Sequence, residues 1–308
     1  MNQTLYKNTP FYQSHYLKAT LGRNVFFKMD CYQPSGSFKI RGMEVICRAY
    51  ISQGKNEFVA SSGGNAGYSL AYVGMKLGAR VKVIVPETTA KRMVEKIKQL
   101  GADVEVIGRD WNEAHQYATT LSQERELPYI SPFDHPLLWQ GHSTIIDECA
   151  AEIPEPDKIV VAVGGGGLIN GVFEGMKRNG WKSQIIAAET NGAASFAESY
   201  KSGKLVELDK IDTIATSLGA RQVSSQTLEL SKNFDINSYV IDDQKALKAV
   251  DKFLEEYNVL VEPACGAALS YVYDADSYIQ PEGNILVIVC GGIGMDLNQL
   301  RQYQSRLC

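Results

Sequence analysis

A run of four consecutive glycines limits the folding of this chain more than any other feature. The run consists of Gly164, Gly165, Gly166 and Gly167. It follows an apolar segment at 159–163 that is typical of a buried strand, and a helix is predicted from Leu168 onward. Because glycine loses much backbone entropy on folding, four glycines in a row indicate that the backbone must lie close to a ligand or to another part of the chain. A strand, a glycine turn and a helix N-terminus direct backbone N–H groups toward one point, so we predict a phosphate site here.

Short apolar segments alternate with longer amphipathic ones along the rest of the chain. Strands are predicted at 25–29, 58–60, 81–85, 103–107, 158–163, 184–188, 238–241 and 284–289, with helices between them. This alternation is typical of an α/β protein with open, mostly parallel sheets. There is no repeat or low-complexity linker, so we expect two closely packed domains with the ligand site between them. We predict a large domain made of residues 1–40 and 137–308 and a small domain at 41–136.

A lysine at the predicted start of a helix is flanked by small residues. Lys39 lies in Pro-Ser-Gly-Ser-Phe-Lys-Ile-Arg-Gly at 34–42, and a second small-residue loop, Ser-Ser-Gly-Gly-Asn-Ala-Gly at 61–67, also joins a strand to a helix. Such loops form ligand sites at the ends of parallel strands. A nucleophilic amine, a loop rich in amides and a phosphate site together suggest an aldehyde cofactor that carries a phosphate. We therefore predict pyridoxal 5'-phosphate, bound by Lys39 as a Schiff base.

A dinucleotide site is the alternative interpretation of the glycine run. Dinucleotide folds place an acidic residue at the end of a second strand about 20 residues further on. Glu189 is near that spacing, so spacing alone does not decide between the two ligands. The lysine segment at 34–42 favours pyridoxal phosphate.

Composition excludes several classes of protein. The chain has 308 residues, 44% of them hydrophobic, with a net charge of −4 and a pI near 5.7. Its basic residues are scattered, which argues against nucleic-acid binding. No apolar stretch reaches the roughly 18 residues of a membrane span, and the N-terminus lacks the pattern of a signal peptide, so we expect no membrane association and a cytoplasmic location. The six cysteines contain no CxxC pair, which argues against a zinc site and a disulfide framework.

Four further blocks extend the pattern almost from end to end. Beyond the lysine segment and the two loops they lie at 133–142 (FDHPLLWQGH), 189–193 (ETNGA), 261–268 (VEPACGAA) and 289–292 (VCGG). In these blocks the chain resembles the fold-type II pyridoxal-phosphate enzymes, and within them the L-serine dehydratase/L-threonine deaminase family. The resemblance implies a two-domain fold like that of tryptophan synthase β, with the cofactor between the domains, and a homodimer. It also implies a lyase that converts L-serine to pyruvate and ammonia, and L-threonine to 2-oxobutyrate and ammonia.

The resemblance assigns roles around the lysine. It places Phe38 over one face of the cofactor, Asn65 near its phenolic oxygen and Cys290 at its pyridine nitrogen. A thiol with an ordinary pKa near 8.5 cannot stabilise a pyridinium as a carboxylate does, which favours elimination over transamination. The expected cofactor-binding residues are Lys39, Phe38, Asn65, Gly164, Gly165, Gly166, Gly167, Leu168 and Cys290. The expected clamp for the substrate carboxylate consists of Ser62, Asn65 and Ala66.

The same resemblance suggests a potassium ion beside the phosphate site. Its ligands would be the Glu189 carboxylate and backbone carbonyls near Gly164, Ala193, Leu218 and Ala220, since hard oxygen ligands suit such an ion. Local capping by Glu189 is the competing interpretation. The four histidines have no metal-ligand spacing and are expected to be structural.

Other activities share these motifs. Serine racemase, threonine synthase and cysteine synthase have the same lysine and glycine segments. The racemases that this chain resembles carry a serine immediately before the Gly-Asn pair of the substrate loop, where this chain has Gly63. A non-catalytic phosphate- or nucleotide-binding protein is the alternative from a different class.

Overall fold

Two separate β-sheets form the framework of the computed structural model, which describes residues 3–274 and 283–307. The larger sheet has six strands in the order β1-β2-β9-β6-β7-β8, and the smaller has three in the order β3-β4-β5. The strands are β1 (Phe11–Gln13), β2 (Asn24–Lys28), β3 (Glu57–Ala60), β4 (Arg80–Val85), β5 (Asp103–Val106), β6 (Lys158–Ala162), β7 (Gln184–Thr190), β8 (Ile236–Ile241) and β9 (Asn284–Ile288).

Helices cover both sheets. They are α1 (His15–Leu21), α2 (Lys39–Ser52), α3 (Asn65–Leu77), α4 (Lys91–Gln99), α5 (Trp111–Glu124), α6 (Pro136–Ala150), α7 (Gly167–Asn179), α8 (Ser195–Ser202), α9 (Ser225–Ser231), α10 (Asp243–Tyr257), α11 (Pro263–Tyr273) and α12 (Leu297–Leu307). None of these helices, within the ranges that the structure describes, is both long and apolar enough to cross a membrane.

The pairing of the strands confirms an α/β fold with mostly parallel sheets. Among the strands of the described residues, β1 and β2 pair antiparallel, and the other pairs in both sheets are parallel. Parallel strands covered by helices on both faces are buried throughout, and β6, β7 and β9 are accordingly almost continuous runs of buried valine, isoleucine, leucine and alanine. The three strands of the small sheet all lie within 41–136 and the other six lie outside it. The exact domain boundaries stay a prediction.

Several predicted boundaries differ from the structure. Helix α7 begins at Gly167 and not at Leu168, because the last glycine of the run already has helical geometry. Helix α3 begins at Asn65, so the loop expected at 61–67 includes the first turn of that helix. Strand β9 ends at Ile288, which leaves Cys290 in the turn beyond the strand.

A buried ion-pair network fixes the helix that carries Lys39. The Arg41 guanidinium donates to both oxygens of Asp30, at 2.7 and 2.8 Å, and to both oxygens of Glu148, at 2.6 and 2.7 Å. Lys28 contacts the same Glu148 carboxylate at 2.8 Å. Because an unpaired buried charge is very unfavourable, this network holds the first turn of α2 against strand β2 and helix α6.

Candidate active site

A tight turn places Lys39 as the first residue of α2. Gly36 has a φ of 70°, and a side chain there would lie 2.9 Å from Cβ of Ile293. The turn is attached to the segment after β9, because the Phe38 N–H donates to the Cys290 carbonyl at 2.9 Å and the Gly292 N–H donates to the Gly36 carbonyl at 3.0 Å. These contacts bring the lysine next to the end of the central strand.

The amine of Lys39 lies in a weakly polar environment. The side chain is partly buried, its Nζ donates to the carbonyl of Pro132, and it lies 5.0 Å from the centre of the Phe38 ring. Burial lowers the pKa of this lysine to about 8, although the nearby Glu262 carboxylate acts in the opposite direction. A substantial fraction of the amine is therefore neutral at physiological pH and able to act as a nucleophile or a base.

The substrate loop at 61–67 ends in buried N–H groups at the start of α3. The first helical bond of α3 joins the Tyr68 N–H to the Gly64 carbonyl at 3.0 Å. The N–H groups of Asn65, Ala66 and Gly67 therefore have no acceptor inside the helix, and together they favour an anion. A side chain at Gly67 would overlap the Ser62 carbonyl, so the loop keeps its shape only with glycine there.

A hydrogen-bonded cluster supports the start of this loop. Ser61 Oγ lies 2.6 Å from the Tyr129 hydroxyl, which lies 2.8 Å from Nδ1 of His115. Trp111 stacks on His115 and donates its indole N–H to the Ser61 carbonyl at 2.7 Å. Burial lowers the pKa of His115, so its ring is neutral in this cluster near pH 7. The cluster fixes both the backbone and the side chain of the residue before Ser62, in agreement with the structural role expected for this histidine.

The glycine run is enclosed by other parts of the chain. Gly166 has a φ of 95°, and a side chain there would overlap Oγ1 of Thr227. A side chain at Gly165 would overlap the ring of Phe133. The first helical bond of α7 joins the Asn170 N–H to the Gly166 carbonyl at 2.9 Å, so the preceding N–H groups, including that of Leu168, have no acceptor inside the helix. The phosphate site at these N–H groups stays a prediction.

Cys290 is part of a buried thiol pair. Its Sγ lies 3.3 Å from Sγ of Cys265, which also donates to the Gly291 carbonyl at 2.9 Å. The hydrogen bond with Cys265, followed by burial, raises the pKa of Cys290 well above its usual value, so the group is a neutral thiol. The sequence analysis gave Cys265 no role, although it lies in the block at 261–268.

Glu262 is a site residue that the sequence analysis also did not identify. Its carboxylate is buried and accepts hydrogen bonds from Asn65 Nδ2 at 2.6 Å and from Ser217 Oγ at 3.1 Å. Burial raises its pKa, while the hydrogen bonds and Lys39 act in the opposite direction. A lone acidic residue inside the apolar block at 261–268 is the signal that could have indicated it.

The residues suggested for potassium are only partly brought together. Gly164 adjoins Leu218, since a side chain at Gly164 would lie 3.0 Å from the Leu218 Cα, and the Leu218 carbonyl already accepts the Ala220 N–H at 2.8 Å. Glu189 lies inside β7 and not just past it, and its carboxylate accepts the N–H groups of Phe196 and Ala197 at 2.9 and 2.8 Å. This is the capping contact that was weighed as the alternative. Among the described residues, no group of three or more His, Cys, Asp or Glu side chains forms a metal site.

Known proteins and solved structures resemble this chain over nearly its whole length. Residues 3–291 match the family model described as pyridoxal-phosphate dependent enzyme. The chain is 44% identical to the L-serine dehydratase/L-threonine deaminase of Mus musculus, over 99% of this chain and 97% of that protein. The structure resembles a fungal L-serine ammonia-lyase from Rhizomucor miehei, with a TM-score of 0.93 and 37% identity over 99% of this chain and 100% of that one.

A maize serine racemase is also similar, with a TM-score of 0.89 and 28% identity over 98% of this chain and 92% of that one. An ammonia-lyase and a racemase therefore both occur among the similar structures. The match over residues 3–291 covers nearly the whole length of the 308-residue chain. This chain belongs to the family of pyridoxal-phosphate dependent enzymes.

Proposed function

We propose that this enzyme converts L-serine to pyruvate and ammonia, and L-threonine to 2-oxobutyrate and ammonia. The observation that carries the proposal is the amine of Lys39, whose pKa burial lowers to about 8 beside a loop that presents anion-binding N–H groups. The names of similar proteins, an L-serine dehydratase/L-threonine deaminase and an L-serine ammonia-lyase, support the choice of substrate.

The residues around Lys39 fit pyridoxal 5'-phosphate. The enclosed glycines and the N-terminus of α7 would hold the phosphate, since side chains at Gly165 or Gly166 would overlap neighbouring residues. Asn65 has a buried Oδ1 atom that lacks a hydrogen-bond partner in the described structure, as expected for an atom that contacts a ligand. Phe38 lies beside the amine and would cover the ring. When bound, the cofactor supplies an aldehyde that captures amines and a ring that withdraws electrons from Cα.

The chain's own residues then provide positioning and proton transfer. The N–H groups at the start of α3, with Ser62, bind the substrate carboxylate. The neutral amine of Lys39 removes the proton from Cα. Cys290 presents a neutral thiol, because its hydrogen bond with Cys265 and its burial raise its pKa. Without a carboxylate at that place, the site suits loss of the β-hydroxyl better than transamination.

An assay of 2-oxo acid formation tests the function. The purified enzyme is incubated with a panel of L- and D-amino acids, and the keto product and ammonia are measured together. We expect pyruvate from L-serine and 2-oxobutyrate from L-threonine, each with one equivalent of ammonia. A protein that binds the cofactor but turns over none of the amino acids would instead indicate a binding protein, and product from another amino acid would indicate another lyase or synthase.

The lowered pKa of Lys39 predicts how covalent capture of the cofactor depends on pH. Only the neutral amine attacks an aldehyde, so the capture rate should rise with pH up to about 8 and then level off. An ordinary lysine, with a pKa of about 10.4, would give a rate that still rises at pH 10. Stopped-flow absorbance on protein freed of cofactor measures the profile, with an Nα-acetyl-lysine amide as the reference amine. A profile that follows the reference amine would contradict the lowered pKa.

Potassium dependence is a separate proposal. The contact between Gly164 and Leu218 supports it, while the use of both Glu189 oxygens to cap α8 weakens it. We expect higher turnover in potassium than in sodium or tetramethylammonium buffers of equal ionic strength. Equal rates in the three buffers would remove the cation from the mechanism. The homodimer and the cytoplasmic location also stay predictions.

A further inference from the structure

Glu262 is a buried carboxylate that the mechanism above does not use. It immediately precedes α11 and is only 6% exposed. Its Oε1 atom accepts from Asn65 and from Ser217, at 2.6 and 3.1 Å, and a side chain at Gly294 would lie 2.9 Å from its Oε2 atom. One carboxylate therefore connects the substrate loop to two segments of the large sheet's domain.

A carboxylate is an unfavourable choice for such a buried position. Removing it from water is expensive unless several donors compensate, and an apolar residue of similar volume is often at least as stabilising. Burial raises the pKa of Glu262, but its two side-chain donors and the charge of Lys39 act in the opposite direction and keep the ionised form accessible. A cost of this kind at the centre of an active site suggests a role in placing another group.

The side chain that Glu262 places is the amide of Asn65, as the chemistry of the two groups shows. An ionised carboxylate only accepts hydrogen bonds, so Glu262 requires the Nδ2 end of the Asn65 amide to face it. The Oδ1 end must then point away from Glu262. Oδ1 is buried and has no hydrogen-bond partner in the described structure. The carboxylate thus determines which end of the amide remains available to a bound ligand.

We propose that Glu262 is a positioning residue that fixes the orientation of the Asn65 amide for the bound cofactor. The proposal depends on the cofactor and not on which amino acid is the substrate. Its test is therefore a binding measurement, and its failure would leave the assignment of L-serine untouched.

A double-mutant cycle tests the coupling between the two residues. Glu262→Ala is compared in the natural chain and in an Asn65→Ala background, and the dissociation constant of pyridoxal phosphate is measured by absorbance titration of the full chain. In the natural chain we expect Glu262→Ala to weaken binding about tenfold or more, as for a hydrogen bond to a charged group. In the Asn65→Ala background the same change should weaken binding by less than about threefold, because coupled residues are not additive.

Two further variants sharpen the result. Ser217→Ala removes the other side-chain donor to the same oxygen without touching Asn65, and should weaken binding by less than about threefold. Glu262→Gln retains one acceptor for Asn65 and should fall between the natural chain and Glu262→Ala. Far-UV circular dichroism checks folding; if Glu262→Ala does not fold, the cycle is run with Glu262→Gln. An equal loss of affinity in both backgrounds, or no loss in a folded variant, would overturn the proposal.

Discussion

Lys39→Ala is expected to abolish covalent attachment of the cofactor and to lower turnover of L-serine by about 10⁴-fold or more, since a positioned acid–base group alone contributes up to that factor. The same amine anchors the cofactor and removes the Cα proton, so no other side chain of the site replaces both functions. The variant should fold, because Lys39 is only partly buried and its ammonium contacts one carbonyl, that of Pro132. The absorbance of lysine-bound pyridoxal phosphate and the rate of pyruvate formation are the two measurements.

Lys91→Ala is the matched control for this variant. Lys91 is also the first residue of a helix, α4, but it is exposed. Its loss should leave the absorbance and the turnover unchanged within experimental error. Retention of both the absorbance band and the dehydratase activity in Lys39→Ala would show that another amine holds the cofactor.

The regular parts of the fold could be predicted because their signals are local. Strands β6 and β9 are long apolar runs, and parallel strands buried on both faces must have that composition. Strand β1 could not be predicted, since its three residues are partly exposed and gain their structure from antiparallel pairing with β2. Strand β8 begins at Ile236, two residues earlier than expected, because its backbone pairs with β7 from that point.

The residues of the candidate site also fall into two groups: those with a local sequence signal and those that only the tertiary fold brings together. Lys39 could be singled out because small residues flank it at the start of a helix. The glycine run could be singled out because a close approach of the backbone requires glycine at several adjacent positions. The hydrogen bond between Asn65 and Glu262 joins residues 197 positions apart. The thiol pair joins Cys265 of α11 to Cys290, which follows β9, and only the tertiary fold brings these two segments together. Local spacing carries no information about such pairs, so the roles of Glu262 and Cys265 were not found.

The enzyme is expected to form pyruvate from L-serine with negligible D-serine. Racemisation requires a second acid on the face of the substrate opposite Lys39. The racemases that this chain resembles have a serine at the position of Gly63, and glycine has no side chain that could return a proton. Chiral chromatography of a reaction started with L-serine measures the outcome. D-Serine that accumulates at a rate comparable to pyruvate would identify the enzyme as a racemase.

Two hydroxyl groups near Gly63, those of Ser62 and Thr89, are alternative candidates for the second acid that racemisation requires. Ser62 is the adjacent residue and is assigned here to the substrate carboxylate. Thr89 lies against the position of the missing side chain, since a Cβ built on Gly63 would lie 2.9 Å from its Oγ1 atom and would overlap its methyl group. Ser62→Ala should raise the KM for L-serine and leave the small amount of D-serine unchanged, and Thr89→Ala should also leave it unchanged. A fall in D-serine in either variant would identify that hydroxyl as the second acid.

The overlap with Thr89 also decides how a racemase activity can be introduced. In Gly63→Ser alone, the new side chain must displace Thr89, so we expect a less stable protein with little gain of D-serine. Gly63→Ser combined with Thr89→Gly provides the space, and it should increase D-serine formation relative to pyruvate by about tenfold or more if the new hydroxyl acts as a positioned acid. Thr89→Gly alone is the control for the added space. If the double variant folds, binds the cofactor and still makes no additional D-serine, the residue at position 63 does not separate dehydratase from racemase, and the difference must lie in how the substrate is held by the loop at 61–67.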